Sequence, residues 1–278
     1  MTPGDIDDAL TRHPPGERRH IVSPANNAIK AIRALDLKKN RAATHLFVVE
    51  GARAALEALS QATAPLAIAY LDEAAHESHV MKLAAATEDS GGLILEVNRE
   101  VLGKLSRRDN PQTVVSVYRQ TWHSLLDFGS GDTDRLLALE TVRDPGNLGT
   151  ILRTADGFDV RDILLIGEAT DPYAGEAVRA SMGSIFAVNL YRTSLADFLD
   201  WRRQFGGLVV GTHLSGSEDI RTLAWRAPSL IVMGNEQKGL SAEMSAACDR
   251  LVRIPMSGRA DSFNLAVATA ITLYESRR

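Results

Sequence analysis

The chain of 278 residues has one cysteine, Cys248. An internal disulfide and any cysteine-rich metal site are thereby excluded, and a packing role within a helix is expected for the thiol. Long apolar runs are missing as well. No stretch approaches the roughly 20 apolar residues of a membrane helix, and Met1-Thr2-Pro3-Gly4-Asp5 has neither the basic start nor the apolar segment of a signal peptide. The expectation is a cytoplasmic location without membrane association. Nor is there a general excess of positive charge, the formal net charge being -4, so contact with nucleic acid has to come from a local patch. His76 and His79 stand three apart with no further ligand candidates nearby, which reads as a helix surface and not as a metal site.

What is present is an apolar fraction of 45%, ordinary for a globular chain that can bury a core. Residues 1–19 mix Pro3, Pro14 and Pro15 with glycines and charges and show little periodicity, so a mobile arm is expected there. From Ser23 onward Ile29, Ile32 and Leu35 recur at helical spacing, and Lys38-Lys39-Asn40-Arg41 is expected to end that helix before a strand over 46–49. A helix at 52–61, an apolar run at 66–71, a helix around 78–87 and a strand at 93–97 continue an α/β alternation. Between Arg18 and Arg41 seven basic residues face a single acidic one, Asp36, for a local formal charge of +6. Such a run is either a footprint for phosphate or a solvated helix face. Gly129-Ser130-Gly131-Asp132-Thr133 has the composition of a linker. The organisation expected is therefore an arm (1–19), a first domain (20–125), a linker (126–132) and a second domain (133–278).

In the second domain Leu136-Leu137-Ala138-Leu139 reads as a buried strand. Asp144-Pro145-Gly146-Asn147 then marks a turn, with a helix beginning near Asn147 and carrying Arg153. The first N–H groups of such a helix suit an anion. Strands are expected at 163–166, 186–190 and 208–211, with Ser194 capping a helix that has Asp197 in its first turn. Leu230-Ile231-Val232-Met233 is short, partly β-branched and bounded by glycine, the pattern of a buried parallel strand. Gly234-Asn235-Glu236-Gln237-Lys238-Gly239 brackets polar residues with glycines, as a backbone needs where it turns sharply and approaches a ligand. Ser241 is placed to cap a short helix. A strand at 251–254 ends at Pro255, and a loop leads through Ser262-Phe263-Asn264 into a last helix of small and aliphatic residues. The alternation demands a mostly parallel sheet with helices on both faces. A Rossmann-type methyltransferase fits poorly, because no G-x-G-x-x-G follows the first strand and the glycine-bracketed loops lie near the end.

In order and spacing, Asn147 to Arg153 within Asp144-Pro145-Gly146-Asn147-Leu148-Gly149, then Gly-Asn-Glu-x-x-Gly-Leu-Ser at 234–241, then Ile254-Pro255-Met256 with Ser262-Phe263-Asn264 resemble the three motifs of the SpoU (TrmH-like) RNA ribose 2'-O-methyltransferases of the SPOUT superfamily. The resemblance implies an α/β fold with a C-terminal trefoil-knot methyltransferase domain. Before it would stand a small α/β, ribosomal-protein-like domain that binds the substrate RNA. Residues 38–41 and 47–51 resemble the start of that domain, and 101–106, Pro111-Gln112 and 114–117 its end. The implied cofactor is S-adenosylmethionine, lined by Gly211, Thr212, His213, Leu214, Gly234, Ile254, Met256 and Phe263; Phe263 stands where leucine is commonest. Arg153 matches the principal catalytic residue and Asn147 a support of the substrate site, with Glu236, Ser262 and Asn264 completing the set. Arg33, Lys38, Lys39, Arg41 and Arg179 become the expected contacts to tRNA or ribosomal RNA. The resemblance also implies a homodimer formed through the C-terminal domain, to which part of Ala266, Val267, Ala270, Ile271 and Leu273 would contribute.

The chemistry expected is in-line attack of a ribose 2'-hydroxyl on a sulfonium methyl group. A guanidinium does not give up its proton in proteins, so Arg153 is read as a fixed cation that orients phosphate and stabilises the developing alkoxide, not as the base. Glu236 either orients Arg153 or braces its loop. Ser262 and Asn264 either position the nucleotide and cofactor or cap the last helix. Two other readings stand beside this one: an RNA-binding protein that keeps the knot without transfer, and a small-molecule methyltransferase.

Overall fold

Ile6 and Leu10 lie one helical turn apart on α1 (Pro3–Thr11), and both are completely buried. The helix is closed at its start by a capping box: Asp5 N donates to Thr2 Oγ1 at 3.2 Å and Thr2 N to Asp5 Oδ2 at 2.7 Å. The mobile arm expected over 1–19 is thus corrected. Pro3 occupies a position in the first turn where a missing N–H costs nothing, and two apolar residues four apart are enough to dock so short a helix. In this computed structural model the described residues are all but 107–111, 132, 215, 217 and 278. Pro111, read as part of a domain's end, and Asp132, read as part of the linker, lie outside them.

Contacts divide the chain into two units, one of Met1–Gln120 with Tyr173–Phe186 and one of Thr121–Pro172 with Ala187–Arg278. In the first unit β1 (Arg18–Ile21) follows α1, and α2 (Asn27–Ala34) and α3 (Lys38–Thr44) come next. The basic run at 38–41 begins α3 and does not end α2. Its side chains still serve the end of α2: Asn40 Nδ2 donates to Ala34 O at 2.7 Å, and Arg41 Nη1 donates to Leu35 O and Asp36 O at 2.9 and 2.7 Å. Carbonyls that a helix C-terminus leaves without partners are satisfied from the next helix. The alternation continues with β2 (Leu46–Glu50), α4 (Ala52–Ser60), β3 (Ala67–Leu71), α5 (Ser78–Asp89), β4 (Leu93–Val97), α6 (Arg99–Leu105) and β5 (Val114–Arg119). These strands form one sheet in the order β1-β4-β3-β5-β2, parallel from β1 to β3 and antiparallel at β5.

The second unit starts with β6 (Arg135–Glu140), α7 (Pro145–Gly157) and β7 (Asp162–Ile166). The chain then makes an excursion through α8 (Gly175–Ser181) that belongs to the first unit. There the rings of Tyr173 and Phe186 lie 4.7 and 5.8 Å from Phe47, and Phe186 packs edge-on against Tyr118 at 4.7 Å. The expectation that Phe186 opens a strand is corrected. It closes a 3-10 turn, Ser184–Phe186, and the strand begins only at Asn189.

The chain returns as β8 (Asn189–Thr193), α9 (Leu195–Arg202), β9 (Leu208–Thr212), β10 (Glu218–Asp219), β11 (Ser229–Met233), α10 (Ala242–Ala247), β12 (Arg250–Arg253) and α11 (Leu265–Glu275). Ser194 caps α9 as expected, accepting from Asp197 N at 3.1 Å. The sheet order is β10-β12-β9-β11-β6-β7-β8, every pair parallel. All five residues of β11 are buried, between β6 and β9. Side chains alternate across a sheet, so Leu136, Ala138, Leu230 and Val232 share one core with Phe198 of α9 and Met244 of α10. The opposite face carries Leu137, Leu139, Ile231 and Met233, also buried. Helix α11 packs on β11 and on α7. It buries Ala266, Thr269, Thr272 and Leu273 while leaving Val267 and Tyr274 exposed at 46% and 59%.

Because Leu10 is completely buried in the first unit's core, Leu10→Ala is expected to lower stability by about 2–5 kcal/mol. A urea denaturation series measures this, and an unchanged midpoint would return residues 1–11 to the status of an arm.

Candidate active site

Strands β12, β9, β11 and β6 are neighbours and parallel, so their C-terminal ends, and the loops that leave them, lie along one edge. In open parallel sheets this is where ligands bind. From β6 the chain turns through Thr141, which has φ of 51°, a left-handed conformation unfavourable for a β-branched residue. Asp144 caps α7 by accepting from Asn147 N at 2.6 Å, and Pro145 takes the first turn. Asn147 therefore lies inside the helix, two residues beyond its start at Pro145.

The loop after β11 meets this turn through Glu236. Its Oε1 accepts from Arg143 N at 3.2 Å, Asp144 N at 3.1 Å and Asn147 Nδ2 at 3.5 Å, and its Oε2 from Arg143 N at 3.2 Å and Asn235 Nδ2 at 3.3 Å. Through these bonds Glu236 ties its own loop to the turn before α7; among the described residues it makes no hydrogen bond to Arg153. The loop after β12 joins through Asn264, whose Nδ2 donates to Asn147 Oδ1 at 2.8 Å while its Oδ1 caps α11 by accepting from Ala266 N at 2.9 Å and Val267 N at 3.3 Å. Asn147, Glu236 and Asn264, more than a hundred positions apart at their extremes, thus form one connected group.

Arg153 is exposed and has no hydrogen-bond or ion-pair partner among the described residues. It stands six positions on from Asn147, about 9 Å along a helix and about 120° around it. Ser262 is exposed beside Asn264, with no side-chain hydrogen bond among the described residues.

The residues expected to line a cofactor lie at the same strand ends. Thr212 ends β9, Gly234 follows β11, and Ile254 follows β12. Leu214 and Phe263 are exposed at 71% and 39%, and Thr212, His213, Ile254 and Met256 are half-buried. Apolar side chains left partly uncovered beside loop backbone fit S-adenosylmethionine, whose adenine needs apolar walls and a few main-chain partners. The glycines at these strand ends are closely packed. A Cβ on Gly234 would lie 2.2 Å from Gly239 C, and one on Gly211 would lie 2.8 Å from Cys248 Sγ. Cys248 sits at the end of α10 rather than within it, and burial pushes its thiol up to about 12, which leaves it a packing group.

The expected RNA contacts divide. Arg33, Lys38 and Lys39 are exposed and without partners among the described residues. Arg41 is 5% exposed with its guanidinium bound to main-chain carbonyls, so it is corrected to a structural residue. Arg179 is half-buried in a small cavity of the first unit lined by Asp36, Arg41, Glu50 and Tyr173, with Nη1 enclosed. Among the described residues no group of His, Cys, Asp and Glu is placed to hold a metal ion, and no helix is long and apolar enough to cross a membrane. Two residues of the site were not among the expected site residues, although Asn235 stands within the glycine-bracketed loop. Asn235 donates from Nδ2 to Thr141 O at 2.8 Å, and Glu140, 5% exposed, accepts from Ser241 N at 2.8 Å. A carboxylate closing an apolar strand was the one available signal for Glu140.

Residues 134–274 match the SpoU rRNA Methylase family, and residues 26–116 match the MRM3-like substrate binding domain. The 23S rRNA (guanosine(2553)-2'-O)-methyltransferase RlmP of Bacillus subtilis is 28% identical over 260 residues, 93% of this chain and 99% of its own length. The AdoMet-bound rRNA methyltransferase from Sinorhizobium meliloti is similar at a TM-score of 0.87 and 44% identity, covering 94% of this chain and 97% of that one. The SpoU methyltransferase AviRb from Streptomyces viridochromogenes, in complex with AdoMet, is similar at a TM-score of 0.78 and 26% identity, covering 89% and 96%.

Proposed function

The chain belongs to the SpoU rRNA methylase family, and we propose that it transfers a methyl group from S-adenosylmethionine to a ribose 2'-hydroxyl of RNA, with ribosomal RNA as the substrate class. The observation that carries this reading is the hydrogen-bonded group Asn147, Glu236 and Asn264 at the strand ends, joined to three half-buried or exposed apolar residues, Ile254, Met256 and Phe263, on the same loop as Asn264. The 23S rRNA methyltransferases among its relatives favour ribosomal RNA, and an RNA substrate of that kind is met in the cytoplasm. The C-terminal domain is read as a trefoil knot on the same resemblance.

S-adenosylmethionine supplies a methyl group on a sulfonium. The chain's own residues do the rest. Asn147 is held with its amide group oriented by Glu236 and Asn264, which suits it to position the ribose or the adjoining phosphate. Arg153 acts as an exposed cation for substrate charge, without a side-chain partner among the described residues. Lys38, Lys39 and Arg33 present charge to the RNA backbone, where contacts position the substrate. The distance between Asn147 and Arg153 on α7 favours a homodimer, in which the exposed arginine of one subunit serves the strand-end site of the other. Val267, Tyr274 and Phe263, exposed at 46%, 59% and 39%, supply apolar surface for that contact.

Arg153→Ala is expected to reduce methyl transfer by roughly a hundredfold or more while S-adenosylmethionine affinity stays within a few-fold, because the cation acts on substrate charge. Tritium transfer into ribosomal RNA together with calorimetric cofactor binding checks both, and wild-type transfer by the mutant would remove Arg153 from the mechanism. Lys38→Glu with Lys39→Glu should weaken RNA binding and make its salt dependence shallower, by about one log unit of slope for each phosphate no longer neutralised. A filter-binding titration at several salt concentrations reads that slope. Sedimentation at micromolar protein should give a dimer; an active monomer contradicts the shared site.

A further inference from the structure

The side-chain amides of the candidate active site run in one direction. Asn264 Oδ1 is committed to capping α11 from Ala266 N and Val267 N, so its Nδ2 faces outward and must find an acceptor. Asn147 provides Oδ1 at 2.8 Å and therefore turns its own Nδ2 toward Glu236 Oε1 at 3.5 Å. From the other side Asn235 uses Oδ1 to accept from Gln237 N and Lys238 N at 3.0 and 3.2 Å. Its Nδ2 is left to donate to Thr141 O at 2.8 Å and Glu236 Oε2 at 3.3 Å. Among the described residues every hydrogen bond to the Glu236 carboxylate is donated by nitrogen. The carboxylate ends two amide runs that begin at separate backbone anchors, one at the start of α11 and one in its own loop.

We infer that Asn235 is a positioning residue for methyl transfer: by fixing which way the Glu236 carboxylate faces, it sets the orientation of Asn147. It is suited to the task because it is 9% exposed and tied on both sides of its backbone, Asn235 N to Gly239 O at 3.0 Å and Gly239 N to Asn235 O at 2.9 Å. It also donates to the carbonyl of Thr141, the residue with φ of 51° that opens the turn after β6. An asparagine that merely braced its own loop would need only Oδ1. The inference rests on the methyl-transfer reading for its rate, but not for the polarity of the hydrogen bonds.

Aspartate separates the two roles, because Asn235→Asp keeps the acceptor toward Gln237 and Lys238 while replacing both donors with a carboxylate that faces Glu236. Asn235→Ala removes everything. The experiment compares these two variants and the pair Asn235→Asp with Glu236→Gln, by single-turnover methyl transfer at saturating S-adenosylmethionine and by thermal midpoint. The expected order is Ala above Asp in both readouts, with Asp slower than wild type by more than tenfold. The pair should regain on the order of tenfold over Asp alone, since the amide introduced by Glu236→Gln restores a donor to the reversed partner. If Asn235→Asp does not fold, recovery of a folded protein in the pair reads the same polarity. Asp above Ala, or a pair no better than Asp alone, overturns the inference. If the midpoints follow the expected order and the rates do not, Asn235 braces the loop only and its positioning role is overturned. A wild-type protein without transfer activity refutes the methyl-transfer reading, while the order of midpoints still decides the polarity.

Discussion

Main-chain N–H groups just ahead of a helix have no partner within it, and in this protein those of Arg143 and Asp144 are taken up by the carboxylate of Glu236. That contact depends on the register of two adjacent parallel strands. Leu139 of β6 stands beside Met233 of β11, so three residues past one strand meet four residues past the other. A slip of one residue would turn the buried side chains of β11 to the wrong face and carry Glu236 away from its donors. The core and the site are thus held by the same pairing, and the polar loops need no further device to find each other than the strand ends from which they leave.

The second constraint is charge. A chain with a net charge of -4 has to concentrate its cations to hold RNA, and the structure shows how few remain for that purpose. Arg18 pairs with Glu88 and Arg19 with Glu17, while Arg41 serves the end of α2. Lys30, Arg33, Lys38 and Lys39 are exposed without partners among the described residues. A local formal charge of +6 therefore overstates the surface available to phosphate, because ion pairs and helix capping consume part of it. Exposed ion pairs contribute little to stability, so their main effect here is to thin the patch.

The first unit is also less separable than a linear reading implies. Tyr173 and Phe186 supply two of the four rings in the cluster that holds Phe47 and Tyr118, although they arrive after α7 and β7. A cut after residue 120 would remove Tyr173 and Phe186 from Phe47 and Tyr118, at a cost on the scale of several buried aromatic contacts.

Local pattern sufficed for much of this. The strand at 230–233, the glycine-bracketed loop, the cap at Ser194 and the parallel second sheet follow from burial, turn chemistry and periodicity, which act over a few residues and leave their mark in composition. The helix of residues 3–11 was hidden because its two core residues are few among charges and prolines, and docking supplied the stability that propensity withheld. Phe186 looked like strand because an isolated aromatic is read by its neighbours, while its ring partners lie on β2 and β5. Sequence alone determined which residue types stand at the strand ends: Asn147, Asn235, Glu236 and Asn264, all able to hydrogen-bond and all bounded by turn signals. Only the tertiary structure decided which way each amide faces and that Arg153 lies on another side of α7, because hydrogen-bond direction is set by partners up to 117 positions away, and no local preference encodes it.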